Sequence, residues 1–325
     1  MPFKTPSFWS SGHDGDWRAL ALAPLGSIYH RVVQARLAKP ALPPPVPVIC
    51  IGNATVGGVG KTPIVARLAQ VLTERGHAPH ILTRGYGGRA KGPLRVTHQH
   101  LPAEVGDEAL MLASHAPVWV AKDRAAGAEA AAAAGAGMIL MDDGLQNPSL
   151  AKTLSVLVVD DRSGFGNGKV FPAGPLRERP EAALARCGAV IAVLPQEGEP
   201  SSWTKAFAGG KPVYAAHFAL ALDDMPEGPL LAFCGIGQPE RFERSLSRAG
   251  AEIAAFRPFP DHHSFLPAEL RALKDEAARL SASLVTTEKD FARLAVEDRA
   301  DITPLRGRMI IEGEDALVAM IEEVL

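Results

Sequence analysis

From residue 46 onward the chain settles into an alternation of short apolar runs and longer amphipathic segments. The apolar runs cover 46–52, 80–83, 118–121, 138–141, 154–159 and 189–194, each of strand length. Helical patterns separate several of them, at 63–74, 108–114 and the Ala-rich 123–134. Runs that are apolar throughout, rather than alternating, suit strands covered on both faces. Strands separated by helices make a largely parallel sheet. The rhythm restarts after Met225-Pro226-Glu227-Gly228-Pro229. Strands are predicted there at 230–234, 253–256 and 283–286, with helices at 239–249 and 267–280 and a closing helix at 316–325. The break places a domain boundary near Asp224, giving a main body over 46–224 and a smaller α/β domain over 225–325.

Residues 1–45 read differently. Phe8, Trp9 and Trp17 precede Leu20, Leu22, Leu25, Ile28, Tyr29, Val32 and Val33, with Arg18, Arg31, Arg36 and Lys39 flanking or interleaving them. Pro24 and Gly26 interrupt the pattern, so one continuous helix is not expected. Rings and apolar side chains mixed with cations are what a membrane-interface segment uses. On the pattern alone, a leading helix packed on the body with solvated arginines is the plainer alternative. Pro40-Ala41-Leu42-Pro43-Pro44-Pro45 then forms a stiff connector.

Composition narrows the classes further. The 325 residues are 47% hydrophobic and 22% charged, enough for a full core and for two domains. A net charge of −2 argues against a dedicated nucleic-acid binder. Cys50, Cys187 and Cys234 lie far apart in apolar stretches, as reduced core thiols do in a cytosolic protein. No apolar run approaches the roughly 18 residues that a spanning helix needs. A secretory leader is not evident either, so a cytoplasmic setting is expected.

The chemistry is concentrated after the first strand, where Gly57-Gly58-Val59-Gly60-Lys61-Thr62 joins strand to helix. That is the context of a P-loop: glycines turn backbone N–H groups toward phosphates, and the helix N-terminus adds its own. Lys61 would reach the β- and γ-phosphates of ATP, and the Thr62 hydroxyl would ligate Mg²⁺. The strict pattern has Gly where this chain has Thr55, and Gly57 and Gly58 can supply the turn instead. The run 138–141 ends in Asp142-Asp143, and acids at a strand's C-terminal end face the ligand edge of an open α/β sheet, where one can hold the metal. Asp107 and His262 are candidates to take a proton from an acceptor hydroxyl, although Asp107 serves equally well as a helix N-cap and His262 as a solvated loop histidine. Arg84, Arg177 and Arg124 are the arginines best placed to meet phosphate, each with a surface role as its alternative. An ATP switch of the partitioning or metallochaperone kind shares Gly-Gly-x-Gly-Lys-Thr but carries a Lys where this chain has Val56.

Together these residues resemble one family, the tetraacyldisaccharide 4'-kinases. The resemblance runs through Phe8-Trp9, Gly52-Asn53, Val56 to Pro63, Arg84-Gly85-Tyr86-Gly87 and Gly106-Asp107-Glu108. It continues through Asp142-Asp143-Gly144-Leu145-Gln146, Pro172 to Glu178, Phe259-Pro260-Asp261-His262-His263 and Thr286 to Asp290. It implies a P-loop NTPase-like parallel sheet with helices on both faces, plus a smaller C-terminal α/β domain closing over the nucleotide. It also implies transfer of the γ-phosphoryl of ATP, with Mg²⁺, to the 4'-hydroxyl of a tetraacylated glucosamine disaccharide 1-phosphate, a lipid A precursor. Thr55, Gly57, Gly58, Val59, Gly60, Lys61, Thr62 and Gln146 are then the nucleotide contacts, and Thr62, Asp142 and Asp143 hold the metal. Asp107 with His262 becomes the acid–base pair, working with Lys61, Arg177, Asp142 and Asp143. Tyr86, Arg84, Arg124 and Glu178 meet the substrate or the transferring phosphate, and Lys289 and Asp290 fall near the adenine. Residues 1–45 become a membrane-interface segment of a monomer working peripherally, or shallowly anchored, at the cytoplasmic face of the inner membrane.

Overall fold

The computed structural model describes residues 6–325 except 11, 14, 222–224, 238 and 262. The expected boundary at Asp224 and the candidate His262 lie outside the described residues. By compactness the chain divides into two units. One is Phe218–Ile310, and the other combines the described residues up to His217 with Ile311–Leu325.

The larger unit begins with α1 (Trp17–Leu37), β1 (Val48–Gly52), α2 (Lys61–Glu74), β2 (Pro79–Thr83) and β3 (Leu94–Arg95). Next come α3 (Pro102–Val105), α4 (Asp107–Leu112), β4 (Val118–Val120), α5 (Arg124–Ala133) and β5 (Met138–Asp142). It continues with β6 (Leu154–Asp160), α6 (Pro180–Leu184), β7 (Ala189–Leu194), α7 (Ser202–Ala208) and β8 (Val213–Leu220), whose last three residues fall in the smaller unit. The smaller unit holds β9 (Leu230–Cys234), α8 (Pro239–Arg248), β10 (Ile253–Pro258), α9 (Pro267–Arg279), β11 (Ser283–Thr287), α10 (Glu288–Arg293) and β12 (Ile302–Leu305). β13 (Gly307–Ile311) and α11 (Glu314–Glu322) close the chain.

The larger sheet has the order β13-β8-β7-β6-β1-β5-β2-β4-β3. Its pairings from β8 through β4 are parallel, and the short β3 joins β4 antiparallel. β1 lies between β5 and β6, and its side chains from Val48 to Ile51 are wholly buried. That is why 46–52 reads as an unbroken apolar run: helices such as α2 and α5 cover the strands, leaving no solvent face to alternate against. The smaller unit carries a parallel sheet of order β10-β9-β11-β12 around Phe233, Leu231 and Val285. β3, β8, β12 and β13 were not legible as strands, nor were the short helices α3, α6, α7 and α10.

The closing helix belongs with the P-loop helix. Nε and Nη2 of Arg67 in α2 donate to the two carboxylate oxygens of Glu314, each at 2.7 Å, Arg75 pairs with Asp315 and Glu322, and His77 lies 3.0 Å from Glu322. The chain thus returns after Ile310 to brace the helix that carries Lys61.

Residues 17–37 form one continuous helix, contrary to the expectation drawn from Pro24 and Gly26. Pro24 removes one N–H, but the carbonyl it would have served belongs to the exposed Leu20, where water can take over. Gly26 is a packing residue. A Cβ there would stand 2.6 Å from the Val170 carbonyl oxygen, so the glycine lets α1 lie directly on the 170–171 backbone. Phe8 and Trp9 reinforce the same contact: Asn167 donates to the Phe8 and Trp9 carbonyls, and the Trp9 indole donates to the Pro172 carbonyl. The opposite side of α1 leaves Trp17 (75%), Leu20, Leu25, Ile28 and Val32 exposed. No described helix is long and apolar enough to cross a membrane.

Gly26→Val is expected to destabilise the protein by about 1–3 kcal/mol through overpacking against Val170, read as a lower urea midpoint. An unchanged midpoint would show that α1 does not lie so close.

Candidate active site

The P-loop leaves β1 at Gly52 and enters α2 at Lys61. Gly57 (φ 118°) and Gly60 (φ 91°) take left-handed backbone, and the latter is the residue before the first helical turn. Thr55 needs no such freedom, which explains the departure from the strict motif. It sits in an antiparallel bridge with Leu176, flanked by backbone bonds from Val56 N–H to the Pro175 carbonyl and from Arg177 N–H to the Ala54 carbonyl, both 2.7 Å. Asn53, fully buried, completes the arrangement: its amide donates to the Thr55 carbonyl and hydroxyl, and its Oδ1 accepts from Lys61 Nζ at 3.0 Å.

β5 runs beside β1 with Asp142 level with Ile51, so both acids arrive next to the P-loop. Their environments diverge. Asp142 is buried at 2% exposure, and its Oδ1 has no hydrogen-bond partner. Burial first, and then the nearby Glu108 charge, push its pKa up to about 7 against the opposing pull of Lys61 and Arg124. Asp143, in left-handed backbone (φ 54°), accepts from Arg177 Nη1 at 2.7 Å and lies 3.6 Å from Lys61 Nζ. Burial works against its charge as well, but Lys61 and Arg177 outweigh it and hold the pKa below the usual carboxylate range.

An orphaned buried carboxylate oxygen on the strand next to the one that leads into the P-loop fits a divalent cation. Among the described residues no cluster of three or more His, Cys, Asp or Glu side chains could hold a metal alone. Mg²⁺ does not require one, because it keeps several waters and takes phosphate oxygens beside one or two protein ligands.

Arg177 and Glu178 follow directly from the bridge at Leu176, so the backbone pairing itself positions them. Glu178 is wholly buried and accepts from Gln146 at 2.9 Å, Arg186 at 2.6 Å and Gln34 at 3.0 Å. Gln146 also donates to the Asn53 carbonyl at 2.8 Å, which turns its Oε1 toward Arg177. Asn53, Gln34, Arg186 and Glu108 were not singled out from sequence. Asn53 and Glu108 stand inside quoted motifs; Gln34 and Arg186 carry no local signal.

A second group gathers around Asp107. Gly106 (φ 89°) would place a Cβ 2.3 Å from the Tyr86 carbonyl oxygen, so the 85–88 loop and the start of α4 touch backbone to backbone. Gly106 occupies the cap position and Asp107 is the first helical residue, which sets aside the N-cap reading. Tyr86 is 81% exposed beside it. Arg124, buried at the start of α5, donates to the Ala121 carbonyl while its Nε has no partner. Burial, with the like charge of Arg84 behind it, lowers the Arg124 pKa. A buried guanidinium with an unpartnered nitrogen has the chemistry to receive an anion. In the smaller unit Asp290 is fully buried and committed to Gly235 N–H, the Thr287 hydroxyl and Arg293.

Comparison with known proteins shows the family. Residues 18–325 match the family model for tetraacyldisaccharide-1-P 4'-kinase. A protein named tetraacyldisaccharide 4'-kinase from Methylobacterium radiotolerans is 45% identical over 323 residues, covering 99% of each chain. One of the same name from Caulobacter vibrioides is 45% identical over 335 residues, covering 100% of this chain and 99% of its own. Among solved structures, the "apo" form of LpxK from Aquifex aeolicus in complex with ATP superposes with a TM-score of 0.75 at 28% identity, covering 94% of this chain and 99% of that one.

The burial of Asp142 makes stability pH-dependent without metal. An unfolded carboxyl releases its proton near 3.8 and the folded one near 7, so stability falls as pH rises through that window. Asp142→Asn removes the cost. In metal-free buffer its melting temperature is expected to exceed that of the wild type by more at pH 8 than at pH 5; an equal difference at both would contradict the assignment.

Proposed function

The chain belongs to the tetraacyldisaccharide-1-P 4'-kinase family, and from that premise we propose how its side chains divide the reaction. The reaction is transfer of the γ-phosphoryl group of ATP to the 4'-hydroxyl of a tetraacylated glucosamine disaccharide 1-phosphate, in lipid A biosynthesis. The observation that carries the division of roles is the convergence at one end of a parallel sheet of Asp143, 2.7 Å from Arg177 and 3.6 Å from Lys61, with Asp142 beside it at the end of β5 level with Ile51 of β1.

The backbone of Gly57–Gly60 and the N-terminus of α2 cradle the phosphates. Lys61, now resting on Asn53 and Asp143, swings to the β- and γ-phosphates when ATP arrives. Thr62, Asp142 and Asp143 would hold Mg²⁺, which when bound neutralises charge on the phosphate oxygens. Arg177 is tied by its own backbone to the P-loop and meets the transferring group, with Arg124 and Arg84 as the anion site on the acceptor side. The 4'-oxygen forms its bond to the γ-phosphorus as the bond to the β-bridging oxygen breaks, and ADP leaves. The hydroxyl proton passes to Asp107, with His262 as its partner on the strength of the sequence motif. Tyr86, beside Asp107 and open to solvent, is placed to pack on the sugar. Gln146 and Glu178 hold the nucleotide side in register. Most of the catalysis is positioning and electrostatics, as is usual for phosphoryl transfer.

An acceptor with four acyl chains lives in a bilayer. The exposed rings and aliphatic side chains of α1, flanked by Arg18, Arg31 and Arg36, suit peripheral attachment to an anionic surface, and we place the enzyme at the cytoplasmic face of the inner membrane. No role named here requires a second copy of the chain, so a monomer suffices.

The test is transfer of labelled phosphate from ATP to the detergent-dispersed disaccharide 1-phosphate. Lys61→Ala is expected to lower kcat about 10²–10³-fold, and Asp107→Ala about 10²–10⁴-fold, in proteins that melt like the wild type. Near-wild-type turnover in either variant would overturn its assigned role.

A further inference from the structure

Phosphate chemistry at the P-loop and the exposed apolar face of α1 stand at two ends of one connected set of contacts. The segment 170–179 lies between them. On one side it bonds the P-loop through Pro175, Leu176 and Arg177. On the other, α1 contacts it at four places. Gly26 lies against the Val170 carbonyl, and the Tyr29 and Phe171 rings meet edge to face at 5.6 Å. The Arg179 N–H donates to His30 Nδ1 at 3.4 Å, and Gln34 donates to Glu178 Oε2 at 3.0 Å. The last contact differs in kind, because it ends on a buried charge.

We propose that Gln34 is a positioning residue for phosphoryl transfer: its amide holds the Glu178 carboxylate, which in turn holds Gln146 between Asn53 and Arg177. The donors to Glu178 divide between its two oxygens. Gln146 and Arg186 donate to Oε1, and Gln34 donates to Oε2. With no exposed surface, Glu178 has no water to replace a missing donor, so loss of the Gln34 amide leaves a charged acceptor oxygen unmet. The carboxylate then turns toward Arg186, its remaining charged partner, and slackens the bond to Gln146. Gln146 spends both of its N–H groups on Glu178 and the Asn53 carbonyl, and its Oε1 faces Arg177 Nη1 at 3.4 Å. The same Arg177 nitrogen donates to Asp143. The seat of α1 is thereby linked, one hydrogen bond at a time, to the carboxylate beside Lys61. A neutral amide suits this role, since it satisfies Glu178 without adding a second cation opposite Arg186.

The inference rests on the kinase reading, and wild-type turnover in the same assay separates the two. Three variants are compared at saturating ATP and lipid acceptor, each with its thermal melt. Gln34→Leu, close in volume but without a donor, is expected to lower kcat about tenfold while KM for the lipid stays within about threefold of wild type. Gln34→Glu sets two carboxylates against each other. Its kcat is expected to be low at pH 8 and to recover toward pH 6, as the pair takes up a shared proton, a profile the wild type lacks. The exchange Gln34→Glu with Glu178→Gln restores a bond of reversed polarity and keeps a carbonyl for Gln146 and Arg186. It is expected to regain most of the activity lost by Gln34→Glu. Should Gln34→Leu melt early, Gln34→Asn, with its amide one carbon short of Glu178, replaces it with the same expected loss. Wild-type kcat and pH profile in the single variants, with the wild-type enzyme active, would overturn the inference alone. Damage that the exchange fails to repair would overturn the route through Glu178. A wild-type chain that transfers no phosphate would remove the kinase reading and this inference with it.

Discussion

Two backbone hydrogen bonds, Val56 to the Pro175 carbonyl and Arg177 to the Ala54 carbonyl, carry more of the site than any side chain does. They splice the P-loop to a loop that arrives some 120 residues later in the sequence. With the splice in place, Thr55 adopts extended backbone and can be threonine, Arg177 starts from a fixed point beside Asp143, and Glu178 is delivered into a dry pocket below. The Phe8-Trp9 opening and α1 then close over the far side of the same segment, through Asn167, Pro172 and the glycine contact at Gly26. The apolar N-terminal segment is therefore part of the active-site construction as well as an exposed surface.

The second organising feature is electrostatic. Asp142 and Asp143 are neighbours in sequence, yet the fold gives one of them no partner and the other two cations. A β-strand explains the split, since successive side chains point to opposite sides. Asp142 ends the strand inside the sheet, whereas Asp143 has already turned into left-handed backbone. The acid with an orphaned oxygen is costly to keep charged and has the chemistry of a metal ligand, and the paired one holds Lys61 and Arg177 close to itself. The charge of Glu108, near the start of α4, adds to that cost.

Much of this was legible in the chain. The central strands declare themselves because burial on both faces leaves unbroken apolar runs, and the P-loop declares itself because phosphate binding demands glycines, Lys61 and Thr62 in a short span. What was not legible depends on distant partners. Pro24 and Gly26 look like helix breakers until Leu20 proves exposed and Val170 proves close. β8 hides because His217 interrupts its apolar run, and β3 because it has only two residues. Gln34 has no motif around it, and its meaning comes from Glu178, 144 positions away. Asp107 reads as a cap in isolation, but Gly106, pressed against the Tyr86 carbonyl, takes the cap position and leaves Asp107 as the first helical residue.

The splice between the two loops can be observed directly by amide hydrogen exchange on the protein before any nucleotide is added. If it holds the site as described, the Val56 and Arg177 amides exchange at least about 100-fold slower than open-loop amides, while Gly57 and Gly58 between them and the helix exchange freely. Exchange of Val56 and Arg177 at the rate of an unstructured loop would contradict the account, because Arg177 and Glu178 would then have no fixed place from which to act.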